Sequence, residues 1–164
     1  MRKDNKQRGF TLLELLVVIV LLGITAAIAI PNFASLIQSN QRTAVINDLS
    51  GLLSFARSEA VRRSAAVVVY PRDASDTSKG YSVCLATALT DCKAGDADSE
   101  RTTNDLPSGV SVSQTAELTF TGRGMASAAL TYEVCGKAGS EAVEIMVNRG
   151  GQVRTNDNSG KTCP

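Results

Sequence analysis

An α+β fold, one long N-terminal helix packed on a small antiparallel β head, follows from three features of the 164-residue sequence. Apolar residues run almost unbroken from Phe10 to Ile30, then thin out but keep helical spacing to about Arg63. Beyond that point short β-branched stretches alternate with clusters of Gly, Pro, Asn, Asp and Ser, the chemistry of strands and turns. Four cysteines, an even set, all lie in this second part.

The N-terminus comes first. Residues 1–9 are a basic leader, with Arg2, Lys3, Lys6 and Arg8 against Asp4. The apolar run of residues 10–30 is long enough to cross a hydrocarbon core of ~30 Å as a helix. One carboxylate, Glu14, stands near its start. A charge inside a membrane segment costs roughly 2.5–3.5 kcal/mol on insertion scales, so it calls for a specific partner. If the chain is cut between Gly9 and Phe10, the new α-amino group lies one helical turn from Glu14, at i,i+4 spacing. A neighbouring subunit can present the same amine. An ordinary secretory signal, cut after Ala27-Ile28-Ala29, conflicts with the length of the run and with Glu14. A plain single-span anchor explains neither Gly9-Phe10 nor Glu14.

Residues 31–63 are amphipathic. Phe33, Leu36/Ile37, Val45, Leu49, Leu52/Leu53, Ala56 and Ala60 keep helical spacing, with Asn40, Arg42, Asn47, Asp48, Ser54 and Arg57 opposite. Read continuously, Phe10 to Arg63 is a helix of about 54 residues, roughly 80 Å long at 1.5 Å per residue. Gly23 and Pro31 are its expected points of bending. Arg57, Arg62 and Arg63 near its end complement the helix dipole and read as a solvated basic terminus.

The head, residues 64–164, reads as strands. Ala65 to Tyr70 is a β-branched run ended by Pro71, and Gly80 to Ala86 follows a polar loop. Residues 87–107 read as a long loop partly closed by Cys92. Short strands are expected over 110–113, 117–121, 129–135 and 142–147, with a last edge strand at 152–154. Alternation is clearest at Leu130/Tyr132/Val134 and Val143/Ile145/Val147, so each of these strands buries one face. Six or seven strands result, around a core short of aromatic residues (four Phe, three Tyr, no Trp). Downstream of an export signal, Cys84, Cys92, Cys135 and Cys163 fit disulfides in the oxidising periplasm. Three pairings are open; proximity favours Cys84–Cys92 and Cys135–Cys163.

Arg8-Gly9-Phe10-Thr11-Leu12-Leu13-Glu14-Leu15 resembles the class III signal of type IV prepilins and type II secretion pseudopilins. Pro31-Asn32-Phe33 falls where that family has its helix-kinking proline. The resemblance implies that a prepilin peptidase cuts after Gly9 and methylates the Phe10 amine, and that Glu14 guides assembly into a helical filament. A second resemblance, of Ala56-Arg57-Ser58-Glu59-Ala60-Val61-Arg62-Arg63 leading into Val67-Val68-Val69, is to the GspH/FimT subgroup of minor pilins and pseudopilins. It implies a pilin-like fold, an inner-membrane anchor with a periplasmic head, and assembly with other minor and major pilins or pseudopilins near a filament tip.

Without histidine, Ser-His-Asp, Cys-His and His-metal arrangements are excluded. No phosphate-binding glycine loop or calcium loop occurs. The expectation is a non-enzyme with no cofactor and no metal. Once the leader is removed, thirteen basic against fifteen acidic side chains leave a net charge of −2, which is not that of a nucleic-acid-coating protein. The one stretch with a ligand chemistry is Asn148-Arg149-Gly150-Gly151-Gln152-Val153-Arg154, a glycine turn flanked by arginines that could grip the phosphates of extracellular DNA. It resembles the Gly-Arg-x-Arg motif linked to DNA capture in FimT-like members. Here Gln152 replaces the first arginine, leaving Arg149 and Arg154 as the DNA-binding candidates; the alternative is a glycine hairpin with solvated arginines. Three functions stand: a minor pilin in type IV pilus assembly, a type II secretion pseudopilin, and a DNA-binding minor pilin.

Overall fold

A computed structural model of the chain describes residues 10–94, 99–157 and 159–164. The chain divides into two units, Met1–Ile37 and Gln38–Pro164. Helix α1 (Leu12–Arg63) begins in the first and ends in the second. In the first unit its large apolar side chains, from Leu12 to Ile37, are exposed. By length and composition this helix is able to cross a membrane. Thr25 donates to the carbonyls of Leu21 and Leu22, and Asn32 to that of Ile28. These polar groups therefore turn back onto their own helix and make no demand on an apolar surrounding. The helix continues through both Gly23 and Pro31.

In the second unit the same helix becomes one-sided. Leu49, Leu52, Leu53, Ala56 and Ala60 are buried, at the i, i+3, i+4, i+7, i+11 spacing of a single face. They meet two antiparallel four-stranded sheets. The first holds β1 (Val67–Pro71), β2 (Tyr81–Leu85), β3 (Arg101–Thr102) and β5 (Leu118–Phe120), in the order β3-β2-β1-β5. The second holds β4 (Ser111–Val112), β6 (Leu130–Cys135), β7 (Val143–Val147) and β8 (Val153–Asn156), in the order β4-β6-β7-β8. Val67, Val69, Val83, Phe120, Tyr132, Val134, Ile145 and Val147 close the shared core. The rings of Tyr81 and Tyr132 meet edge to face at 5.7 Å, the geometry aromatic pairs prefer.

The expected strands are present within a residue or two, and the pairing Cys84–Cys92 with Cys135–Cys163 is the one found. Two elements differ from the sequence reading. The stretch taken as one long loop contains helix α2 (Leu89–Ala94) and the two-residue strand β3, which brings the described strands to eight. Helix α2 has a clear cause. Strands β1 and β2 are buried on both faces, and their outer side chains need cover. Tyr70 and Cys84 find it under Ala88, Leu89 and Cys92, with the Cys84–Cys92 bond holding the short helix in place.

The two disulfides close loops of very different size, with sequence separations of 8 and 28. If restriction of the unfolded chain dominates, the longer loop contributes about 1 kcal/mol more. Replacing Cys135 and Cys163 with Ser is expected to lower the melting temperature further than replacing Cys84 and Cys92. Thermal unfolding of the two double variants, followed by circular dichroism, checks the order.

Candidate functional site

The residues expected to act in assembly lie at the start of α1. Gly9, half of the expected cleavage site, is outside the described residues. Phe10 is 85% exposed. Thr11 stands immediately before the helix, and its Oγ1 accepts the Glu14 backbone N–H at 3.2 Å. That is an N-cap bond to the third helical residue, which satisfies one of the orphan amides of the first turn. Thr11-x-x-Glu14 is therefore a capping sequence, a role that the charge of Glu14 had masked. The carboxylate also sits where the positive end of the helix dipole favours it. Around it Leu12, Leu13, Leu15 and Leu16 are exposed, so the charge lies in a wide apolar surface.

The arginines at the other end of α1 are not a merely solvated cluster. Glu59 is buried, and Arg62 Nε donates to its Oε2 at 2.9 Å while Arg63 Nε donates to its Oε1. Arg63 also reaches Glu100, at 2.8 Å, and so ties the helix end to the segment before β3. Hydrogen bonds from Arg62 and then Arg63 pull the Glu59 carboxyl from 4.5 down to about 2. Arg57 does something else. Its Nε donates to the Gly124 carbonyl at 3.1 Å and its Nη2 to the Gly150 carbonyl at 3.3 Å, joining two turns to the helix. The dipole complement expected for Arg62 and Arg63 in the last turn is retained alongside these bonds.

Arg149 and Arg154 share the hairpin between β7 and β8, and both are exposed. Gly151 has φ +74°, and a Cβ there would lie 2.0 Å from the Gly124 carbonyl oxygen, so only glycine fits. The turn is closed from within. Asn148 accepts the Gly151 N–H on its carbonyl at 2.8 Å and the Gln152 N–H on its Oδ1 at 3.0 Å. Gln152 returns a bond, its Oε1 accepting from Asn148 Nδ2 at 3.1 Å. Two of the amides that a phosphate would need are thus occupied, and the residue replacing the motif's first arginine is part of the turn itself.

Comparison with known proteins follows these two regions. The family model described as "Type II transport protein GspH" matches residues 45–151, and that of the "Prokaryotic N-terminal methylation motif" matches residues 4–30. "Fimbrial protein Q" of Moraxella bovis is 48% identical over 46 residues, which are 28% of this chain and 29% of the relative. "Type II secretion system core protein G" of Escherichia coli K12 is 40% identical over 52 residues, 32% of this chain and 36% of the relative. The chain thus spans about a third of the length of these curated relatives. A crystal structure of the type IV minor pilin FimU of Pseudomonas aeruginosa PAO1 shares the fold. Its TM-score is 0.62 at 21% identity, covering 76% of this chain and 94% of that one.

Glu59 gives the head a pH signature. Its folded pKa is depressed, so the stabilisation is complete above its ordinary value of 4.5 and is lost as pH falls through about 2. The melting temperature is expected to fall across that window. Glu59→Gln should lower it at pH 7 and flatten this part of the profile, and parallel melts of the two proteins measure the difference.

Proposed function

This chain belongs to the type II transport protein GspH family, and on that premise we propose that it is a minor pilin acting in the initiation or tip complex of a type IV pilus. The observation that carries the proposal is the first turn of α1: an exposed Phe10, a Thr11 cap and Glu14 within an apolar helix surface that no other described residue of the first unit covers. Such a surface requires lipid or other helices around it. Membership of the family and the methylation motif make the other helices those of pilins or pseudopilins.

In this reading a prepilin peptidase cuts after Gly9 and methylates Phe10. Residues 10–30 hold the protein in the inner membrane, with the head, residues 64–164, in the periplasm. On assembly Glu14 neutralises the Phe10 amine of a subunit, which removes the cost of its charge in apolar surroundings. Pro31 lets the helix bend as it leaves the membrane for the filament core. The role is structural, and the protein is not an enzyme.

A type II secretion pseudopilin is the second reading. It is favoured by the description of the matched family and by the core protein G relatives. Both readings use the same N-terminal residues, so the test must read the machine. Deletion in the host is expected to remove surface pili counted by electron microscopy. Wild-type complementation should restore them and Glu14→Ala should not. Normal pilus numbers in the deletion strain would overturn the pilus reading, and a loss of protein secretion in the same strain would establish the second.

A further inference from the structure

Strand β8 is the outer strand of the second sheet, and among the described residues one of its edges has no strand beside it. The register pairs Val147 with Val153 and Met146 with Arg154, and Asn148 N–H donates to Gln152 C=O at 3.1 Å. In an antiparallel ladder bonded and non-bonded pairs alternate. Arg154 and Asn156 therefore spend their backbone groups on β7, whereas Val153 and Thr155 turn theirs outward. Among the described residues these outward groups have no backbone partner.

Two separate cavities lie along this edge. At one end a cavity of about 390 Å³ is lined by Ser54, Arg57 and Ser58 of α1 together with Gly151 to Arg154. At the other end a cavity of about 550 Å³ is lined by Arg42, Thr43, Ile46 and Asn47 of α1, with Thr155 and Asp157 on the strand side. The helix residues form one face. Thr43, Asn47, Ser50, Ser54 and Ser58 are spaced i, i+4, i+7, i+11 and i+15, and all are small or polar.

We propose that the outer edge of β8 and this face of α1 form an acceptor groove for an extended acidic segment of another filament subunit, which adds as a fifth strand to the second sheet. The identity of the partner as a filament subunit rests on the functional reading above. The strand geometry comes from the alternate free N–H and C=O groups of Val153 and Thr155, which only another backbone in extended conformation matches at both positions. The acidic character comes from charge. The charged residues lining the 390 Å³ end are Arg57 and Arg154, with no carboxylate among them. The 550 Å³ end is mixed, holding Arg42, Glu141 and Asp157, so the acidic side chain belongs at the Arg154 end.

The test uses the full-length protein in detergent and peptides of about ten residues tiling the heads of the host's other pilins and pseudopilins. At least one acidic peptide is expected to slow amide exchange at Val153 and Thr155 by about tenfold or more. Thr155→Pro removes an outward N–H that the β7 ladder does not use. It should weaken that peptide about tenfold, the scale of one backbone hydrogen bond, with the melting temperature held. Arg154→Ala should weaken it as well. If no peptide protects these amides, or if binding is unchanged in Thr155→Pro, the acceptor groove is overturned. The exchange measurement on the wild type decides the matter even if the proline variant unfolds. A duplex oligonucleotide is the competing occupant. Salt-dependent DNA binding that disappears in Arg149→Ala/Arg154→Ala but survives Thr155→Pro, with the amides unprotected, would overturn strand addition and give the arginines to nucleic acid. Failure of the peptide test while the deletion strain still loses its pili removes the groove alone; normal pilus numbers in the deletion strain remove the pilus reading.

Discussion

One helix has to satisfy two different surroundings, and the remaining features follow from that constraint. Between Leu12 and Ile37 the large apolar side chains of α1 are exposed, whereas from Leu49 to Ala60 the apolar stripe is covered by two sheets. No single solvent suits both halves. The first must be covered from outside the chain, by lipid or by helices, because its apolar area in water has nothing to oppose its cost. The second carries its cover with it. Backbone hydrogen bonding is what allows the change, since a helix satisfies its own amides and carbonyls whatever surrounds it. Thr25 and Asn32, bonded to carbonyls one turn back, extend that self-sufficiency to their side chains.

The head meets a different difficulty, a modest core that must hold a helix end and two short-stranded sheets together. Arginine does much of this joining, by two separate means. Arg62 and Arg63 neutralise Glu59, a carboxylate that burial alone would penalise, and Arg63 reaches onward to Glu100. Arg57 uses no carboxylate. It gathers the Gly124 and Gly150 carbonyls, and so fastens two glycine turns to the same side of the helix. Those turns are already joined to each other, through the Ala126 N–H donated to the Arg149 carbonyl and the close approach of Gly151 to Gly124. The β7–β8 hairpin is held at its turn from two directions. Its outer edge is thereby kept fixed beside α1 rather than left to fray.

The sequence showed these features unequally, for physical reasons. Helix α1 and strands β6 and β7 were legible because their burial patterns repeat over enough residues to stand out: Leu49, Leu52, Leu53, Ala56 and Ala60 on the helix, and Val143, Ile145 and Val147 on the strand. Helix α2 has six residues, too few for a 3.6-residue period to declare itself, and it exists because Tyr70 and Cys84 on the back of the first sheet need cover. Strand β3 spans two residues and depends on β2 for its existence. The Thr11–Glu14 cap was readable from spacing alone, but the isolated carboxylate drew attention to its charge instead. Arg57 was not readable. Its acceptors are backbone carbonyls 67 and 93 positions away, and a carbonyl leaves no mark in the side-chain sequence.

The free edge of β8 follows from the same reasoning about unsatisfied groups that explains the N-terminus. The carboxylate of Glu14 and the apolar half-helix serve the pilus and the secretion readings alike, so neither distinguishes the machine served. Helix-to-helix packing through Leu, Val and Ile is close to non-directional, and it accommodates many similar neighbours. Specific choice of neighbour needs directional groups. On this head the outward amides and carbonyls of Val153 and Thr155 are directional, and Arg57 and Arg154 beside Val153 add charge. If α1 supplies the affinity for any filament of this type, β8 is where this chain can discriminate among the subunits within one.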